Sequence, residues 1–140
     1  MVDARRSFRG IEVLDGGRKV RVQPGATIVA VNSVLARYGR KLGPDPASSV
    51  ACTLGGVLAD NSSGMSCGTV ANSYRTLDSM IFVLASGTVI DTADPQCEDK
   101  LAHDEPELVE TLMALRDLCR EQGRADELPE QFWRLNTRGV

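Results

Sequence analysis

With 140 residues, 42% of them apolar and 25% charged, the chain has the make-up of one folded domain with a core of its own, which excludes a disordered segment. A net charge of −3 without a basic stripe argues against a nucleic-acid or membrane-surface binder. The opening MVDARRSFRG has no signal-peptide core, and no run approaches the roughly 20 apolar residues of a membrane span.

In chain order, Ile11 to Leu14 and Lys19 to Gln23 are short strand-like runs around Asp15-Gly16-Gly17, a hairpin signal. Pro24-Gly25 stops the second strand, and Thr27 caps a helix predicted from Ile28 to Tyr38. Its apolar face is Ile28, Val31, Val34, Leu35 and Tyr38, and Gly39 is placed to end it. Gly43-Pro44-Asp45-Pro46-Ala47-Ser48 must be a stiff extended loop, because each proline disfavours helix in the residue before it. A short helix from Leu54 to Asp60, with Thr53 as its cap, enters through Gly55-Gly56 and ends in Asn61 to Gly64. Met65 to Ser73 reads as loop. Asp78 to Leu84 and Thr88 to Asp91 flank a Ser86-Gly87 turn as a second hairpin. Asp104-Glu105-Pro106-Glu107 opens a helix carrying Leu108, Leu112, Leu115 and Cys119 and ending at Gly123, with another helix predicted from Pro129 to Leu135. The fold class is α+β, an antiparallel sheet flanked by helices.

Nucleophilic catalysis finds little support. His103, the sole histidine, sits beside a helix start in an acidic stretch, where a surface role suffices. Asp94, Glu98 and Asp99 read as a solvated polar loop. The four cysteines form no CxxC pair, which favours free thiols in a reduced cytosol over a zinc site. Neither GxxxxGK[ST] nor GxGxxG is present. What stands out is ACTLGGVLADNSSG, from Ala51 to Gly64: small residues and bare amides, with no lysine or arginine through Tyr74. Together with the Pro-Asp-Pro loop it suits a cofactor approached closely by backbone, since oriented amides bind anions without a cation. Plain close packing explains the glycines equally, so both readings stand at this level.

The order VQPG (22–25), GPDPAS (43–48), ACTLGG (51–56), NSSGM-CGT (61–69) and NSYRTL (72–77), then the hairpin ending ASGTVIDTADP, resembles the FAD-linked oxidases. These carry a PCMH-type FAD-binding domain and share the vanillyl-alcohol oxidase fold. The likeness spans about Arg5 to Pro95, and the NSSG variant is similar to large bacterial D-lactate and D-2-hydroxyglutarate dehydrogenases. The resemblance implies FAD, contacted from a second subdomain by Pro44, Asp45, Pro46, Ser48, Cys52, Gly55, Gly56, Asn61, Ser62, Ser63 and Gly64. It implies no catalytic or metal-binding residue within this chain. It also implies oxidation of a D-2-hydroxy acid (D-lactate, glycolate or D-2-hydroxyglutarate class) by hydride transfer to FAD.

The same resemblance leaves parts unaccounted for. No Gly-rich pyrophosphate loop precedes Arg5, no histidine-rich substrate domain follows, and iron–sulfur cysteine clusters are missing. The expectation is therefore a fragment: residues 1–103 part of an FAD-binding domain, and 104–140 a helical segment leading to a substrate domain. An iron–sulfur cluster would lie outside this chain. Such a fragment is expected to bind FAD weakly or not at all, to be inactive alone and to self-associate through its exposed half-site. Its place would be the cytoplasm or the cytoplasmic face of the inner membrane. The competing reading is a stand-alone flavin- or nucleotide-binding module, or a subunit of a split oxidase.

Overall fold

The computed structural model describes residues 3–121, which fall into two compact units dividing between Thr76 and Leu77. In the first, strands β1 (Ile11–Leu14) and β2 (Lys19–Val22) pair antiparallel. The register Ile11↔Val22 and Val13↔Val20 places these four apolar residues on one face. Their turn runs through three successive positive φ angles, at Asp15, Gly16 and Gly17. Only short or side-chain-free residues tolerate that run, which is why Asp-Gly-Gly stands there.

Helix α1 (Ile28–Leu35) starts where predicted, with the Thr27 hydroxyl accepting from Ala30 N–H at 3.3 Å. Such a cap is worth about 1 kcal/mol. The predicted last turn tightens instead into a 3-10 turn, Ala36–Tyr38, before Gly39 adopts φ +64° and ends it. Ile28, Val31 and Leu35 are buried with Ala26, Leu54 and Val57, and the hairpin face and Cys52 pack against them. Burial of each large side chain contributes roughly 1.5–3 kcal/mol. Tyr38, predicted on this face, is instead about half exposed and lies over Gly17.

Helix α2 (Leu54–Ala59) and the one-turn helix α3 (Ser73–Thr76) complete this unit. Thr53 makes no side-chain cap bond; it pairs with Thr27 in an antiparallel bridge. Helix α3 lies at the end of the stretch predicted as loop. The Asn72 side chain, accepting from Arg75 N–H at 3.0 Å, nucleates it.

The second unit pairs β3 (Ile81–Val83) with β4 (Val89–Asp91), and is followed by α4 (Cys97–Asp104) and α5 (Pro106–Glu121). The fold is thus α+β, with two separate two-stranded antiparallel sheets rather than one. Helix α4 corrects the expectation of a polar loop around Glu98 and Asp99. The Asp94 carboxylate takes Gln96 N–H at 2.9 Å and the Asp94 carbonyl takes Cys97 N–H at 3.0 Å, so the chain turns into a helix whose first turn carries both acids. His103 accordingly lies in the last turn of α4, exposed. The Glu105 carboxylate joins the helices to the hairpin turn by accepting from the Ser86 hydroxyl and, at 2.6 Å, from that of Thr88. Pro106 opens α5 as predicted, while its Leu112 and Leu115 are exposed. The predicted stop at Gly123 and the helix from Pro129 to Leu135 lie outside the described residues.

Candidate functional site

All eleven residues implicated by the resemblance lie in the first unit, on two loops and one helix attached to the same core. The segment 24–27 is the attachment point for α2. Leu54 N–H donates to Ala26 O, and Gly55 N–H to Pro24 O, each at 2.9 Å. A Cβ on Gly55 would fall 2.8 Å from Pro24 Cβ, so Gly55 is bare because proline is packed against it. These bonds occupy the first two amides of α2, those of Leu54 and Gly55. Of the Gly-Gly pair, the Gly55 amide is thus spent within the chain, while Gly56 N–H has no acceptor among the described residues.

The Pro-Asp-Pro loop meets the loop after α2 through one side chain. Asp45 Oδ2 accepts from Ser66 N–H and Oδ1 from Cys67 N–H, both at 3.2 Å. The Ser66 hydroxyl, then the Cys67 and Ser66 bonds, hold the Asp45 carboxyl below its ordinary range. Gly64 lies against the same residue, since a Cβ there would be 2.1 Å from Asp45 Oδ1 and 2.3 Å from Asp45 O. Asn61 takes φ +51°, and its side chain accepts Tyr74 N–H at 3.1 Å. Ser62 N–H returns to Val57 O, and Ser62 O accepts both Ser73 N–H at 3.0 Å and the buried Ser73 hydroxyl at 2.7 Å.

Two groups emerge. Pro44 is buried, Cys52 packs on the core, and Asp45, Gly55, Asn61, Ser62 and Gly64 are tied into the scaffold. Pro46 is half-buried, and its carbonyl accepts Ser49 N–H at 2.9 Å. Ser48, Gly56 and Ser63 are exposed. Gly56 differs from its neighbour: a Cβ there would meet only Thr53 Oγ1, at 3.7 Å. Among the described residues, the successive amides of Ser63, Gly64 and Met65 donate to no oxygen of the chain. A surface offering free amides, hydroxyls and one bare helix glycine fits a flat, anionic cofactor such as FAD pressed against backbone.

Three contributors escaped sequence reasoning: Pro24 as the packing partner of Gly55, and Ser66 and Cys67 as partners of Asp45. None carries a local signal, since each acts across 21 to 31 positions of sequence, as in Pro24 to Gly55 and Asp45 to Ser66. Among the described residues no cluster of His, Cys, Asp or Glu could hold a metal ion, and no helix is long and apolar enough to cross a membrane. Cys52, Cys67 and Cys97 are free thiols.

Residues 1–93 match the sequence profile of the FAD binding domain. Over 59 residues the chain is 41% identical to the glycolate oxidase subunit GlcD of Escherichia coli strain K12, and equally to that of Escherichia coli O6:H1 strain CFT073. The aligned part is 40% of this chain but 12% of each relative, so the chain corresponds to a small share of their length. No solved structure matches.

Proposed function

The chain belongs to the FAD binding domain family, with FAD as its cofactor, and from that premise we propose that it supplies one wall of the FAD site in a flavin-dependent oxidoreductase acting on a D-2-hydroxy acid. The substrate class is that of D-lactate, glycolate and D-2-hydroxyglutarate, and the likeness to a protein named glycolate oxidase subunit supports it. Bound FAD would supply the acceptor for the hydride that leaves the substrate's C2. The chain's own residues do the holding. The amides of Ser63 to Met65 and the Ser48 hydroxyl offer hydrogen bonds, while Gly56 lets the cofactor reach the helix backbone.

The observation that carries this reading is Gly56. A glycine inside a helix costs about 0.5–1 kcal/mol relative to alanine. Among the described residues no packing contact requires one there, because beyond its chain neighbours and its own helix backbone the nearest atom to its Cβ position is 3.7 Å away. A ligand surface at that point accounts for the bare backbone. Titration of flavin fluorescence against wild type and Gly56→Leu tests it. Affinity is expected to fall at least about tenfold in the variant, the cost of losing roughly one contact's worth of binding. Equal affinity in the two proteins defeats the wall reading. Anaerobic bleaching of the bound flavin by D-lactate, glycolate or D-2-hydroxyglutarate, in the flavoprotein carrying this domain, identifies the substrate; bleaching by none favours a flavin-binding module instead.

A further inference from the structure

We propose that Asp45 is a positioning residue for the cofactor: it acts through the loop carrying Ser63, Gly64 and Met65 and does not itself meet the FAD diphosphate. The inference rests on the wall reading above and adds how that wall is kept in shape.

Asp45 stands between Pro44 and Pro46, whose rings restrict the backbone on either side. The backbone at Asp45 is thereby restricted, and the bonds its side chain makes set where the carboxylate points. Both oxygens are already engaged, Oδ2 with Ser66 N–H and Oδ1 with Cys67 N–H. The side-chain hydroxyl of Ser66 and thiol of Cys67 also favour its ionised form. The same carboxylate presses on Gly64, where even a methyl would collide with it. Charge-assisted hydrogen bonds of this kind are the stronger ones, and here they close a loop from one end. The other end is closed by Ser62 N–H on Val57 O and by the Ser73 bonds to Ser62 O. Between the two closures lie Ser63, Gly64 and Met65, whose amides have no acceptor among the described residues.

Electrostatics decide against direct contact. A carboxylate beside a diphosphate is a like-charge pair, repulsive unless a cation intervenes. No lysine or arginine occurs from Ala51 through Tyr74. An acid that spends its acceptor capacity on the loop's amides therefore serves the site at one remove, by holding the donors in one arrangement before the cofactor arrives.

The two roles predict opposite signs. FAD titrations of the flavoprotein carrying this domain, at low and high salt, are compared for wild type, Asp45→Asn and Asp45→Ala, with amide hydrogen exchange of each protein without FAD. Positioning predicts faster exchange at Ser66 and Cys67 in Asp45→Ala, unchanged exchange in α1, and FAD affinity lower by about tenfold. Asp45→Asn, which keeps one acceptor oxygen, should recover part of the affinity and leave the salt dependence as in wild type. Tighter binding by Asp45→Asn with an altered salt dependence would mean the carboxylate faces the phosphates, and overturns the proposal. So does wild-type affinity in Asp45→Ala, or an unchanged exchange rate at Ser66 and Cys67. A wild-type flavoprotein that binds no FAD defeats the wall reading itself, and the inference falls with it.

Discussion

At Gly55 the space for a Cβ is taken by Pro24, 2.8 Å away, while at Gly56 it is open except for Thr53 Oγ1 at 3.7 Å. Two adjacent glycines, alike in sequence, thus answer to different constraints. Alanine at Gly55 should destabilise the fold by about 1–3 kcal/mol through overpacking. Alanine at Gly56 should stabilise it by about 0.5–1 kcal/mol, because it removes a flexible residue from a helix. Urea denaturation of the two variants separates the cases: midpoints moving in opposite directions are expected, and a shared loss would show that Gly56 is packed. Paired with the flavin titration, Gly56→Ala should be the more stable protein and the poorer binder. At this scale the sequence left two readings open for the glycines, close packing and approach of a cofactor. Gly55 and Gly64 are bare because neighbours in the chain approach them, which residue identity cannot disclose.

Helix α4 and its junction with α5 teach a similar lesson among elements. A sequence with Asp94, Glu98 and Asp99 looks like solvated loop by composition, yet the Asp94 turn starts a helix that accepts acids in its first turn. Glu105, between the two helices, reaches back to the β3–β4 turn through Ser86 and Thr88. The Ser86 hydroxyl first, and then that of Thr88, lowers the Glu105 pKa from its ordinary 4.5. A carboxyl whose folded pKa is depressed stabilises the protein above its unfolded pKa, and that stability is lost as pH falls through the folded value. Glu105→Gln should therefore unfold earlier than wild type near neutral pH, and the gap should close as pH falls through the lowered folded pKa. Thermal melts of both proteins across that window check the sign. A gap that stays constant with pH would show that the charge on Glu105 contributes nothing to the junction.

The candidate wall, taken over the whole molecule, is only as good as the core beneath it. Segment 24–27, the start of α1 and the start of α2 share hydrogen bonds and the buried set Ala26, Ile28, Val31, Leu54 and Val57. Ile28 is 1% exposed, and truncating it to alanine should cost about 2–5 kcal/mol. Because α2 and the 61–67 loop hang on that core, the same variant should lose flavin affinity although Ile28 is buried beneath the wall. Calorimetric melting and flavin titration of Ile28→Ala measure both; retained affinity in a melted core would detach the site from the fold. The matched region is 12% of the relatives' length, so the full flavin site and the substrate chemistry are proposals for the protein that carries this domain.

The sequence by itself determined the α+β class, both hairpin turns, the Thr27 and Pro106 helix starts and the flavin-family motif. Each of those rests on local rules: side-chain period, proline geometry, turn residues and spacing along the chain. Tertiary structure alone decided that the Leu54 and Gly55 amides are spent on Ala26 and Pro24, that Asp45 serves a loop 21 positions away, and that Gly56 faces outward. Those facts depend on which distant backbone fills a given space, and no local rule encodes that.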